Sequence, residues 1–270
     1  MVTDSRLTTP QTEQTRKRFE VAKYVILEAG TLADDYFRDI RTLAAKSKAL
    51  DDLVSEAGLS TELLIRRSFE KHFPRDSFFG EKSCHTEVRE GRGIWVVDPI
   101  DGTQQFSAGM PNWCISIAYV FDGLLEFGLV YNPPCIELFA GGRAFPATVN
   151  GRPIAAHAGT DPSAGLVSIG SSPRSSNSFL FESLTKLLYN KGVLFRNGSS
   201  ALSLAYVAAG RLLGHVEQHV HSWDYLGAVA IIEAAGGRVS EYLVADALRS
   251  ENRVVAAGAG VFEQLDSLLS

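Results

Sequence analysis

Residues 94–103 read Ile94-Trp95-Val96-Val97-Asp98-Pro99-Ile100-Asp101-Gly102-Thr103. Four apolar residues rich in β-branched and aromatic side chains have the pattern of a buried strand. The strand ends in two acids three residues apart, with proline and glycine shaping the turn and a hydroxyl directly after it. Carboxylates at one strand end converge on a common point, and a hard divalent cation asks for that kind of oxygen ligand. Magnesium in particular takes a few carboxylates, waters and substrate phosphate oxygens. The same residues also have a plain conformational reading, because Asp-Pro and Asp-Gly are common in solvated strand-exit turns. The choice between the two rests on the rest of the chain.

Upstream, Phe79-Gly80-Glu81-Lys82-Ser83 has a short strand ending at a glycine with an acid after it. If that strand neighbours 94–97, Glu81 shares a metal with Asp98; otherwise it is an exposed loop acid beside Lys82. Downstream, His221-Ser222-Trp223-Asp224 opens an apolar helix. An acid there suits the helix dipole on its own account, but the bulky Trp223 beside it is unusual for a casual loop. An acid arriving from a second domain would place the site in an interdomain cleft, a usual location for ligands. Burying four acids without a cation would be costly, which argues against a purely structural role.

Around these segments the chain falls into two halves, 1–155 and 156–270. In the first, Thr9-Pro10 opens a helix over 10–44, with Phe19, Ala22, Ile26, Ala29, Ala33, Tyr36, Ile40 and Leu43 at helical spacing. A polar stretch over 46–58 follows, then a helix capped by Ser60 and stopped by Pro74. Strands are expected at 77–79, 94–97, 113–121, 124–131 and about 136–140, with turns at Asp122-Gly123 and Asn150-Gly151. This half reads as two helices against a largely antiparallel sheet. In the second, strands at 166–169, 193–195 and 212–217 alternate with helices at 176–189, 201–209 and 223–235, implying a partly parallel sheet.

The 270 residues carry 45% hydrophobic and 21% charged residues, as in an ordinary globular protein able to bury a sizeable core. Net charge is -5 and the basic residues are scattered. A nucleic-acid or anionic-membrane surface is therefore not expected. The first twenty residues have no apolar signal-peptide core, and no segment has the length of a membrane span. Cys84, Cys114 and Cys135 are odd in number and lack C-x-x-C spacing, so a reduced, soluble, cytoplasmic protein is expected. His215, His219 and His221 are close in sequence but lack the ligand company of a zinc site.

Together, Gly80-Glu81-Lys82-Ser83, Trp95 to Thr103, and Trp223-Asp224 with Ala235-Gly236-Gly237 closely resemble the signatures of the inositol monophosphatase superfamily, in the same order and spacing. The resemblance spans roughly residues 20–260. It implies a layered α-β-α-β-α sandwich of the sugar-phosphatase type and a magnesium-dependent, lithium-sensitive phosphomonoesterase. Carried over residue by residue, it implies that Glu81, Asp98 and the Ile100 carbonyl hold one magnesium, and that Asp98, Asp101 and Asp224 hold a second. Thr103 with Glu81 would position and help deprotonate the attacking water. The phosphate would rest on the N–H groups of Gly102 and Thr103, where a helix begins. Gly198, Ser199, Ser200 and Glu217 would meet the leaving group, with Glu217 accepting hydrogen bonds from a polyol or standing as an exposed strand acid. A homodimer acting on a small phosphate ester is implied, with inositol 1-phosphate the first choice. Histidinol phosphate, fructose 1,6-bisphosphate and 3'-nucleotides are hydrolysed by similar sequences.

The chain departs from the pattern where many members carry an acid for a third, weaker metal site. Gly58 stands there, with Asp51, Asp52 or Glu56 as substitutes, and a raised magnesium requirement is expected. Lys46 or Lys48 is aligned with a loop lysine, and Gln104-Gln105-Phe106 replaces a more usual Thr-x-Asn-Phe. The departure at Gly58 also leaves open a competing class, a regulatory binding protein with reduced catalysis.

Overall fold

A computed structural model describes residues 10–43, 49–83, 92–171, 175–243 and 246–269. The expected Thr9 cap, Lys46, Lys48 and Cys84 lie outside these residues. Helix α1, Pro10–Leu43, packs beside α2, Ala49–His72. The α2 helix contradicts the expected polar stretch and Ser60 cap, since it runs straight through Gly58 and Ser60. The reason is tertiary: Val54, Ala57, Thr61, Ile65 and Phe69 form one buried face at helical spacing. Packing of that stripe outweighs the cost of about 1 kcal/mol for a glycine inside a helix. On α1 the core position is Phe37, 3% exposed, rather than Tyr36. Phe37 meets Phe106 and Trp113 at ring distances of 5.5 and 5.4 Å.

Strands β1 (Ser77–Gly80), β2 (Ile94–Asp101), β3 (Cys114–Phe121), β4 (Leu124–Asn132), β5 (Glu137–Gly142), β6 (Phe145–Val149) and β7 (Arg152–Pro153) form one sheet in sequence order, with α3 (Thr103–Ser107) between β2 and β3. Only the β1–β2 pair is parallel among these; the others are antiparallel. Asp122-Gly123 and Asn150-Gly151 have positive φ at both residues, as two-residue turns of strongly twisted hairpins require. Strands β6 and β7 escaped the sequence reading, being short and carrying prolines at 146 and 153.

The second sheet contains β8 (Leu166–Ile169), β9 (Val193–Phe195), β10 (Gly214–Val220), β11 (Gly237–Val239) and β12 (Asn252–Gly258), in the order β11-β12-β10-β8-β9. Its β8, β9 and β10 are mutually parallel, and β12 runs against β10 and β11. The helices of this half are α4 (Asn177–Tyr189), α5 (Ser200–Ala208), α6 (Ser222–Ala234) and α7 (Phe262–Asp266).

Three apolar clusters interleave these parts. The first joins α1 and α2 to one face of the seven-stranded sheet through Ile26, Phe69, Trp95 and Phe127. The second joins the other face to α5 and α6 through Val96, Leu202, Leu226 and Ile231. The third joins the five-stranded sheet to α4 and α7 through Val167, Leu187, Val255 and Leu265. The molecule is thus an α-β-α-β-α sandwich with α5 and α6 as its central layer.

Along β2 the side chains alternate between layers, as a period of two demands. Trp95 and Val97 belong to the α1/α2 side, and Ile94 and Val96 to the α5/α6 side. Asp98 has the parity of the latter. Helix α6 lies close over the sheet: a Cβ on Gly128 of β4 would stand 1.9 Å from the Gly227 carbonyl. Gly128→Ala is therefore expected to force the central helix outward and to lower unfolding stability by about 1–3 kcal/mol. Urea denaturation would show this, and an unchanged midpoint would rule out the close approach.

Candidate active site

The register of β2 against β3 shifts between Asp98 and Asp101. This irregularity lets both acids reach the central layer although they are an odd number of residues apart. Asp224 comes from the first turn of α6, three residues before Gly227. That spacing puts both on one helix face, directed at the first sheet. Carboxylate oxygens of Asp98, Asp101 and Asp224 all lie within 4.8 Å of one another. Among the described residues this is the one group of three or more acids, histidines or cysteines so close together. Glu81 follows β1, and its N–H extends the parallel ladder to the Val97 carbonyl at 3.1 Å, placing it beside Asp98 in the same cleft.

Each aspartate is oriented by a backbone amide. Asp98 Oδ1 accepts from the Ile100 N–H at 2.8 Å, Asp101 Oδ2 from the Ala201 N–H at 2.7 Å, and Asp224 Oδ2 from the His221 N–H at 3.0 Å. Asp101 also accepts from the Ser199 hydroxyl. Neutral donors hold the carboxylates but do not cancel their charge. Burial, then the nearby charges of Glu81, Asp101 and Asp224, push the Asp98 carboxyl well above its usual range. Burial and then Asp101 do the same to Asp224. Asp101 is pushed up to about 6, chiefly by burial, with Ser199 and Ala201 acting in the opposite direction. A group of buried oxygens that would otherwise take up protons matches the donor set of magnesium.

The acids line a cleft of about 230 Å³. The Thr103 hydroxyl donates to the Ile100 carbonyl at 3.2 Å, so these two expected site residues are joined. Gly102 has φ of 91°, and a Cβ there would lie 2.7 Å from the Asn112 carbonyl. Its glycine is required by backbone conformation and by that neighbour, so a side chain at 102 would disturb more than phosphate approach. In the same cleft, Ser200 Oγ donates to Glu217 Oε2 at 2.6 Å. Glu217 is 4% exposed, which settles it as a buried cleft residue rather than an exposed strand acid. Ser199 caps α5, accepting from the Leu202 N–H at 3.1 Å while it donates to Asp101. Gly198 has φ of 86° and turns the chain into that cap.

Several cleft residues were not singled out from sequence as parts of this site: Gln105, Ser171, Arg196, His215 and His219. The alternation His215, Glu217, His219 along one strand face was the available signal. His215 Nε2 lies 3.2 Å from Glu217 Oε2, whereas His219 and His221 each lie 3.3 Å from Glu251. His215 thus pairs with Glu217, while His219 and His221 share Glu251. Of the substitutes for the missing acid, Glu56 is exposed and accepts from the Tyr36 hydroxyl at 3.3 Å, away from the cleft; Asp52 is also exposed.

The raised carboxyls give stability a definite pH dependence. A carboxylate whose pKa rises on folding stabilises the folded chain fully below its unfolded value, ~3.9. That contribution is lost as pH climbs through the folded value, about 6 for Asp101. Metal-free protein is therefore expected to weaken across this window. Added magnesium should raise the melting temperature more at about pH 7.5 than at about pH 5, where protons compete for the same oxygens. Calorimetry at both pH values checks this, and equal increments would reject it.

Comparison with known proteins places the chain in a family. The model of the inositol monophosphatase family matches residues 14–267. The inositol-1-monophosphatase of Synechocystis is 30% identical over 93% of this chain and 88% of its own. The Nus factor SuhB of Escherichia coli K12 is 30% identical over 80% of this chain and 81% of its own. Among solved structures, the inositol monophosphatase of Anabaena superposes with a TM-score of 0.81 at 26% identity, covering 95% of this chain and 96% of that one. On its sequence and its architecture alike, this chain belongs to the inositol monophosphatase family.

Proposed function

We propose that the protein is a magnesium-dependent phosphomonoesterase acting on a small polyol phosphate, with inositol 1-phosphate as the first substrate to test. The observation that carries this reading is the convergence of Asp98, Asp101 and Asp224 in a cleft that also holds Glu217 and Ser200. Glu81, Asp98 and the Ile100 carbonyl would hold one magnesium, and Asp98, Asp101 and Asp224 a second. When bound, such ions supply an acidified water as nucleophile and stabilise charge on the leaving oxygen.

The chain's own residues do the rest. Thr103 and Glu81, on the cleft wall, would orient the attacking water and accept its proton. The amides of Gly102 and Thr103, at the start of α3, would receive the phosphate oxygens. Glu217 can accept a hydrogen bond from a substrate hydroxyl while the Ser200 hydroxyl fixes its orientation. No covalent bond between enzyme and phosphorus is required. Lithium inhibition, a homodimer and a cytoplasmic location belong to the same proposal. No described helix is long and apolar enough to cross a membrane.

Relatives named Nus factor SuhB at similar identity favour a second reading, a regulatory role accompanied by weak catalysis. Phosphate release from inositol 1-phosphate, histidinol phosphate, fructose 1,6-bisphosphate and 3'-phosphoadenosine 5'-phosphate separates the two. Magnesium-dependent turnover is expected, falling by about 10³-fold or more in Asp98→Asn. No turnover on any of the four at high magnesium would move the regulatory reading ahead. A further expectation is that Glu217→Gln raises KM for a polyol phosphate about tenfold with little change in kcat. An unchanged KM would remove Glu217 from the leaving-group contacts.

A further inference from the structure

Gly58 has a structural counterpart in Lys82. A Cβ on Gly58 would stand 2.9 Å from Lys82 Cε, so a larger residue in α2 would occupy the path of the lysine stem. At the end of that stem the ammonium lies 2.8 Å from Glu81 Oε1. The backbone beneath is held as well, because the Lys82 N–H donates to Glu62 Oε2 at 2.8 Å. Glu62 is 4% exposed, and its carboxylate occupies the space that a side chain on Gly80 would need. A gap in one helix, a buried acid from the same helix and a glycine in β1 together aim one lysine at the outer end of the carboxylate group.

The Lys82 and Glu81 side chains are 27% and 26% exposed, so the pair by itself adds little to stability. Its position gives it another consequence. Glu81, Asp98, Asp101, Asp224 and Glu217 bring five negative charges to the cleft, and the Lys82 ammonium beside Glu81 and the Arg196 guanidinium return two of them. Two divalent ions would then leave the site slightly positive, suited to a phosphate dianion, and a further ion would meet repulsion.

We propose that Lys82 is a built-in cation of this site, placed by the Gly58 gap, which limits the cluster to two divalent ions and weakens their binding. The proposal rests on the reading of Glu81 and the aspartates as metal ligands.

Manganese binding to the full chain, followed by the electron paramagnetic resonance signal of the free ion, tests it without reference to catalysis. Wild type should saturate at two ions. Lys82→Met, which keeps the stem and removes the charge, should bind manganese roughly tenfold more tightly; Lys82→Gln should do the same, and Lys82→Arg should match wild type. Saturation of wild type at three ions, or unchanged affinity in both neutral variants, would overturn the role of Lys82. Asp98→Asn distinguishes the two levels: wild-type manganese binding in that variant would instead overturn the metal-ligand reading itself.

Discussion

Like charges buried side by side repel, and the arrangement of this molecule around the end of β2 follows from that. Three carboxylates within 4.8 Å of one another, at 3% exposure for Asp98 and 8% for Asp101, cannot all be ionised cheaply in a low-dielectric interior. Something must hold them together against that repulsion. Here it is the apolar central layer. Trp223, Leu226 and Ile231 of α6, with Leu202 of α5, belong to the same cluster as Val96 of β2 and Val130 of β4. Backbone-to-backbone approach at Gly128 and Gly227 brings α6 near enough for Asp224 to reach the strand end.

The three backbone amides on Asp98, Asp101 and Asp224 show how orientation is separated from neutralisation. Each fixes a carboxylate, and none brings a formal charge. The carboxylate charge is thereby left for a cation to meet, where a ring of arginines in the same places would have cancelled it. Lys82, approaching from the Glu81 side, is a basic group paired with one of the carboxylates.

Polar contacts of another kind line the same cleft. Ser200, His215 and Glu217 form a short chain of polar contacts, fixed by the helix cap at Ser199 and by the parallel pairing of β10 with β8. Ser200 and His215 direct hydrogen bonds at Glu217, whose own charge acts on Asp101 and Asp224. Family membership rests on the match over residues 14–267 and on the 30% identity to the Synechocystis relative, neither of which fixes the substrate.

Much of this was legible in the sequence. The order of most elements and the hairpin turns could be read from period and turn chemistry, because these depend on residues near one another in the chain, whereas Glu81, Asp98, Asp101 and Asp224 were joined into one set by the family resemblance. The helical course of 49–60 could not, since its glycine and polar residues argue locally for a loop, and only the face packed on α1 decides otherwise. Nor could the role of Ser199, whose hydroxyl serves an aspartate 98 positions away, or the pairing of Gly58 with Lys82 across two elements. Sequence by itself determined which chemical groups the protein owns and the local bends that carry them. Tertiary structure decided which of them share a low-dielectric space, because burial and charge interaction depend on distances that packing alone sets.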